Sequence, residues 1–111
     1  YKRQRPTPPL HPDDPQMYRD LVEFSPEAAY VVADGRIVYV NPAAIRLFAA
    51  EDATQLIGSE ILAHIHPDDH ALALARRKAV LTSGVPAPMV EMRFVALDGR
   101  IFEVEVQATR I

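Results

Sequence analysis

Two long stretches near the end of the chain alternate with a period of two. Val90, Met92, Phe94 and Ala96 alternate with Glu91, Arg93 and Val95; Phe102, Val104, Val106 and Ala108 alternate with Glu103, Glu105 and Gln107. That pattern belongs to paired strands with one buried face and one wet face. Asp98-Gly99 between them supplies a turn. Two shorter runs rich in Val, Ile and Tyr, at 28–33 and 36–40, flank Asp34-Gly35 and predict a first hairpin. The expected strands are therefore 28–33, 36–40, 88–97 and 100–110.

The remaining apolar residues recur at helical spacing. A helix is predicted over 15–24, opened by Asp14-Pro15, with Met17, Leu21 and Phe24 in one stripe and Tyr18 with Val22 beside it. Ten residues are too few to be helical alone, so this helix must dock. Asn41-Pro42 opens a second helix over 42–50, whose inner face carries Ala44, Ile45, Phe48 and Ala49. A short turn over 53–57 stops at Gly58. The longest helix is predicted over 67–83, with acids at its start, Arg76, Arg77 and Lys78 later, and Gly84 after it. Ala71, Leu72, Ala75 and Ala79 are its expected inner face. The predicted core joins Val31, Met92, Phe94, Val104 and Val106 to Ile45, Phe48, Ile65, Leu72 and Ala75. Five of the ten prolines fall within the first 15 residues. Proline lacks a donor and fixes φ, so 1–14 reads as an extended linker and 15–111 as one domain.

Composition narrows the function. A net charge of −3 gives no basic surface for nucleic acid. Absence of cysteine removes disulfides, thiolate metal sites and cysteine nucleophiles. No apolar run approaches the roughly 20 residues that span a bilayer, and no signal-peptide pattern opens the chain.

The order hairpin, helices, hairpin, with the segments "DGRIVYVNPAA", "HPDD" and "LDGR" at its joints, resembles the PAS family. The likeness runs over about residues 20–111. It implies an α+β fold: an antiparallel sheet with helices packed on one face, five strands in all. The fifth lies between the first strand and the last one visible here. Only four are legible, so the domain is expected to be cut short at its C-terminus, its slot empty or filled by a neighbouring chain. The resemblance also implies a non-catalytic sensory and dimerisation module of a multidomain bacterial protein. The expected parent is a cytoplasmic or membrane-anchored sensor histidine kinase of a two-component phosphorelay, with this segment cytoplasmic. The alternative is a small-molecule receptor domain of a diguanylate cyclase or transcription regulator.

Several constellations invite sharper chemistry. His64, His66, Asp68, Asp69 and His70 crowd one segment as metal ligands would, but acids at the first turn of a helix need no metal. Some relatives of the resembled family hold haem through a histidine on the long helix; the matching position here is Ala73, and His70 lies a turn earlier. Light-sensing flavin chemistry needs a cysteine where this chain reads Asn41-Pro42-Ala43. No cofactor is therefore expected. Ser25, Ser59 and Ser83 sit at element ends, where serine caps or turns the chain, and Glu103 and Glu105 face outward. Asn41 reads as a helix cap, and Tyr30 and Tyr39 as amphipathic strand residues. The expected ligand pocket, suited to a small apolar molecule, is lined by Ile45, Phe48, Leu56, Ile65, Leu72, Ala75, Met92, Phe94 and Val104. Tyr18, Leu21 and Val22 are the expected homodimer contact.

Overall fold

The computed structural model describes residues 15–110. The expected linker 1–14 and the Asp14 cap lie outside the described residues, as do the side chains of Met17 and Tyr18. Strands β1 (Tyr30–Ala33) and β2 (Arg36–Val40) form the first hairpin. Its turn residues Asp34 and Gly35 have φ of 53° and 79°, the two left-handed positions of the turn that matches strand twist. The register jumps between Val31 and Val32, pairing Val31 with Tyr39 but Val32 with Ile37. Val38 is the extra residue, 50% exposed. This bulge lets Ile37 and Val40, three residues apart, both reach the core, which strict alternation forbids. The inner residues of β1 are Tyr30 and Val32, packed on the core, whereas Val31 is only half-buried against expectation.

Strands β3 (Ala87–Val95) and β4 (Ile101–Ala108) pair antiparallel, with Met92 opposite Val104 and Phe94 opposite Phe102. The turn between them holds Gly99 at φ 88° and closes with Gly99 N–H donating to Ala96 O at 2.9 Å. The expected single sheet is two separate two-stranded sheets. Among the described residues β1 and β4 share no ladder. Side chains join the hairpins instead, Tyr30 of β1 lying against Phe94 of β3 at 6.4 Å between ring centroids.

Helix α1 spans Pro15–Glu23 and α2 spans Pro42–Leu47. Between α2 and the long helix run three short 3-10 turns, Ala53–Gln55, Ile61–His64 and Pro67–Asp69. This connection covers two strand edges. Ser59 O accepts from Ile37 N–H at 2.9 Å beside β2, and His66 N–H donates to Arg93 O at 2.9 Å beside β3. Covered edges cannot pair with stray chains.

Helix α3 (His70–Ser83) corrects the sequence reading most. Leu72 is 39% exposed, and Ala71, Ala75 and Ala79 are exposed too. The inner face is Ala73, Arg76 and Val80, spaced i, i+3, i+7. Apolar residues surround this helix on all sides, so periodicity does not select a face. Arginine can bury its stem while its head finds polar partners, and Arg76 does so. Phe48, Leu56, Ile37, Ile65, Met92 and Phe94 make the centre of the core.

Candidate functional site

The interior between the hairpins is aromatic. Phe48, at the end of α2, stacks on Phe94 at 5.6 Å and meets Tyr30 and Phe102 edge-on, each at 6.4 Å. Seven of the residues expected to line a pocket meet here: Phe48, Leu56, Ile65, Met92 and Phe94 are buried, and Ile45 and Val104 pack against them half-buried. Leu72 and Ala75 do not. Both point to solvent, and Ala73 takes the inward place on α3. A bulky side chain placed at Ala75 would therefore project from the outer surface rather than fill the interior.

Three polar residues reach this interior in roles that the sequence did not give them. Tyr30 is one; burial pushes its hydroxyl up to about 12, although the charge of Arg76 pulls the other way. Arg76 is the second. From α3 its Nη1 donates to Pro88 O at 2.7 Å and its Nη2 to Val106 O at 3.1 Å. An arginine in the middle of a helix reads as solvent-facing, and only the approach of β3 and β4 turns it inward.

His64 is the third, buried and tilted against Phe48 at 5.5 Å. Its Nε2 lies 2.8 Å from Ser59 Oγ, which is itself 2.5 Å from Leu56 O. The carbonyl can only accept, so the serine proton points at Leu56 and His64 Nε2–H donates to Ser59. A catalytic serine would give its proton to the ring, so this pair is structural. Burial lowers the His64 pKa.

The other members of the histidine–aspartate cluster are likewise occupied. His66 Nδ1 accepts from Asp68 N–H at 3.1 Å, and His70 Nε2 donates to Ile65 O at 2.7 Å. Asp69 accepts three bonds from Arg93: backbone N–H at 2.8 Å, Nε at 3.1 Å and Nη2 at 3.0 Å. These contacts pin the start of α3 to β3 and hold the Asp69 carboxyl down at about 2. Among the described residues no three such side chains converge as metal ligands.

Depressed pKa values set the expected acid response: His64 for its upper part, and Asp69, with Asp52 held down by hydrogen bonds from Thr54, for its lower part. A base lowered on folding stabilises the fold above its unfolded value, since the unfolded chain binds more protons below it. The His64 contribution should be complete above its ordinary value of 6.5 and drain away as pH falls through the lower folded value. The Asp69 contribution should be complete above 3.8 and be lost toward about 2. Denaturant midpoints measured from pH 7.5 down should therefore fall in two stages. His64→Gln, which keeps a donor for Ser59, should remove the upper stage alone; an unchanged upper stage would show that another group causes it.

Asn41 is the second polar feature of the interior. It is 0% exposed, and all four hydrogen-bonding positions of its amide are used. Oδ1 accepts from Ala44 N–H and Ala29 N–H, and Nδ2 donates to Val22 O and Glu27 O, each at 2.9 Å. The expected cap of α2 is present, and the same side chain ties down the end of α1. Tyr39 Oη adds a bond to Glu23 Oε1 at 2.7 Å. α1 is thus joined through one amide to the helix that carries Phe48.

Hairpin, helical connection, long helix and hairpin around an aromatic core are the arrangement of a sensory-type α+β domain. The family model described as the PAS fold matches residues 16–111, and the chain belongs to the PAS family. Solved structures agree. The PAS domain of the protein from Colwellia psychrerythraea superposes with a TM-score of 0.76 at 18% identity, over 86% of this chain and 80% of that one. A PAS domain from a two-component sensor histidine kinase gives 0.65 at 25% identity, over 85% and 79%. Among curated proteins, sporulation kinase A of Bacillus subtilis (strain 168) is 29% identical over 92 residues. That match takes in 83% of this chain and 15% of the kinase's length. No helix among the described residues is long and apolar enough to cross a membrane.

Proposed function

We propose that this domain is the sensory and dimerisation module of a multidomain histidine kinase, passing conformational change in its core to a linked output domain. Asn41 carries this reading. A displacement of Phe48 shifts α2, and the amide that caps α2 also holds the C-terminal end of α1. The likeness to a sensor kinase domain and to sporulation kinase A supports the choice of output.

α1 is also the proposed dimer contact. Leu21 and Val22 are exposed on it, at 45% and 37%. Backbone and polar bonds hold the end of the helix, leaving these apolar side chains free for a second copy in a two-fold contact. Sedimentation should show a dimer that Leu21→Asp dissociates, and a monomeric parent would remove this part of the reading. For signalling, a histidine kinase chimera carrying residues 16–111 should autophosphorylate. Asn41→Asp should change its rate by about fivefold or more, the usual scale of allosteric coupling. An indifferent rate in a folded variant would overturn the coupling.

A second reading, a receptor with its own small-molecule ligand, is favoured by one observation. The inner-face residues Phe102, Val104 and Val106 of β4 remain half-exposed although Met92 and Phe94 beside them are buried. Apolar surface turned inward but not fully covered is where a ligand gains most from burial.

A further inference from the structure

Two of the described arginines are half-buried, and they are partnered differently. Arg93 meets the carboxylates of Asp68 and Asp69. Arg76 meets only the carbonyls of Pro88 and Val106, and among the described residues no carboxylate pairs with it. Carbonyl dipoles satisfy two of its five N–H groups and leave three, and they do not neutralise its charge. A partly desolvated cation without a counter-ion is costly, and an anion brought to it recovers that cost. Tyr30 of β1 reaches the same interior, its ring 6.4 Å from Phe94; its hydroxyl feels the charge of Arg76 and donates to no described group. Phe102, Val104 and Val106 lie on one face of β4, half-buried and apolar; Arg76 holds the Val106 carbonyl, and Tyr30 and Phe102 both meet the ring of Phe48.

We propose that Arg76 and Tyr30 form the polar end of a binding site for a small amphiphilic carboxylate, whose hydrocarbon or aryl body lies against Phe102, Val104 and Val106. This rests on the receptor reading and gives it a ligand class. One planar guanidinium with free donors suits the two oxygens of a carboxylate. A neutral tyrosine adds a third donor, and burial keeps that hydroxyl protonated far above neutral pH. Ala73, one turn before Arg76 on the same face, adds only a methyl group beside the site.

Calorimetric titration with phenylacetate and with phenylacetamide, near neutral pH and low salt, tests the assignment. The acid should bind about tenfold or more tighter than the amide, the scale of a charge-assisted hydrogen bond. Arg76→Gln should erase that preference, Arg76→Lys should keep part of it, and Tyr30→Phe should weaken the acid several-fold. Because Arg76 also ties α3 to the strands, the acid-to-amide ratio of the unmodified protein and its decline with salt serve as the test if Arg76→Gln does not fold. Equal binding of acid and amide would leave a receptor but overturn the carboxylate assignment. Binding of neither would overturn both, and so separates the two failures.

Discussion

Phe48→Ala should destabilise the domain by about 3–5 kcal/mol, the usual cost of emptying a large buried aromatic site. Small domains are stable by only about 5–15 kcal/mol in total, so the variant should sit near the edge of unfolding. The reason is position. Phe48 is 0% exposed, and its ring meets Tyr30, His64, Phe94 and Phe102, which come from both hairpins and the connection between them. Its carbonyl also accepts from Leu97 N–H at 2.9 Å, tying α2 to the second hairpin. No neighbouring element can collapse into the space without moving another. Urea unfolding should show a lower midpoint with an unchanged slope. Phe24→Ala, on an exposed site, should shift it little; similar losses in the two variants would deny Phe48 its central role.

Asn41 is expected to be the next most costly position. Asn41→Ala removes four hydrogen bonds and leaves Val22 O, Glu27 O, Ala29 N–H and Ala44 N–H to find other partners. Unsatisfied buried groups cost about 1–3 kcal/mol each. Some of these four will regain water, so a loss of about 2–4 kcal/mol is expected. Asn41→Asp separates the two jobs of the side chain. A carboxylate still accepts from Ala29 and Ala44, but it faces the Val22 and Glu27 carbonyls without a proton to give. Hydrogen exchange in this variant should therefore speed up along α1 while the core strands stay protected. Undiminished α1 protection would mean that Tyr39 and Glu23 hold the helix without the amide.

How much of this was legible beforehand differs from residue to residue. Asn41 reads as a cap because its partner Ala44 is three residues away and Pro42 follows it. Its other partners are 12, 14 and 19 residues distant, beyond any local rule. The inward placing of the residues expected on β3, β4 and α2 was legible because their apolar positions keep step with the element carrying them. Leu72 and Ala75 were misplaced because α3 is apolar on several sides. The bulge at Val38 left no local mark, since Arg36–Val40 already reads as an ordinary strand.

What the chain itself determined is therefore local. Asp34-Gly35 and Asp98-Gly99 turn two alternating runs into hairpins, Asn41-Pro42 starts α2, and the HPDD segment leads into α3 at His70. Each rests on backbone preferences or a spacing of a few residues, which short-range sterics and hydrogen bonding enforce wherever the segment goes. The tertiary structure decided which face of α3 turns inward, and with it that Arg76 lies at the interior and Ala75 outside. It decided that the two hairpins meet through side chains, Tyr30 of β1 against Phe94 of β3, with no ladder between β1 and β4, and that one amide joins α1 to α2. These choices depend on which surfaces are covered at once, a balance among distant segments that no single stretch of sequence encodes.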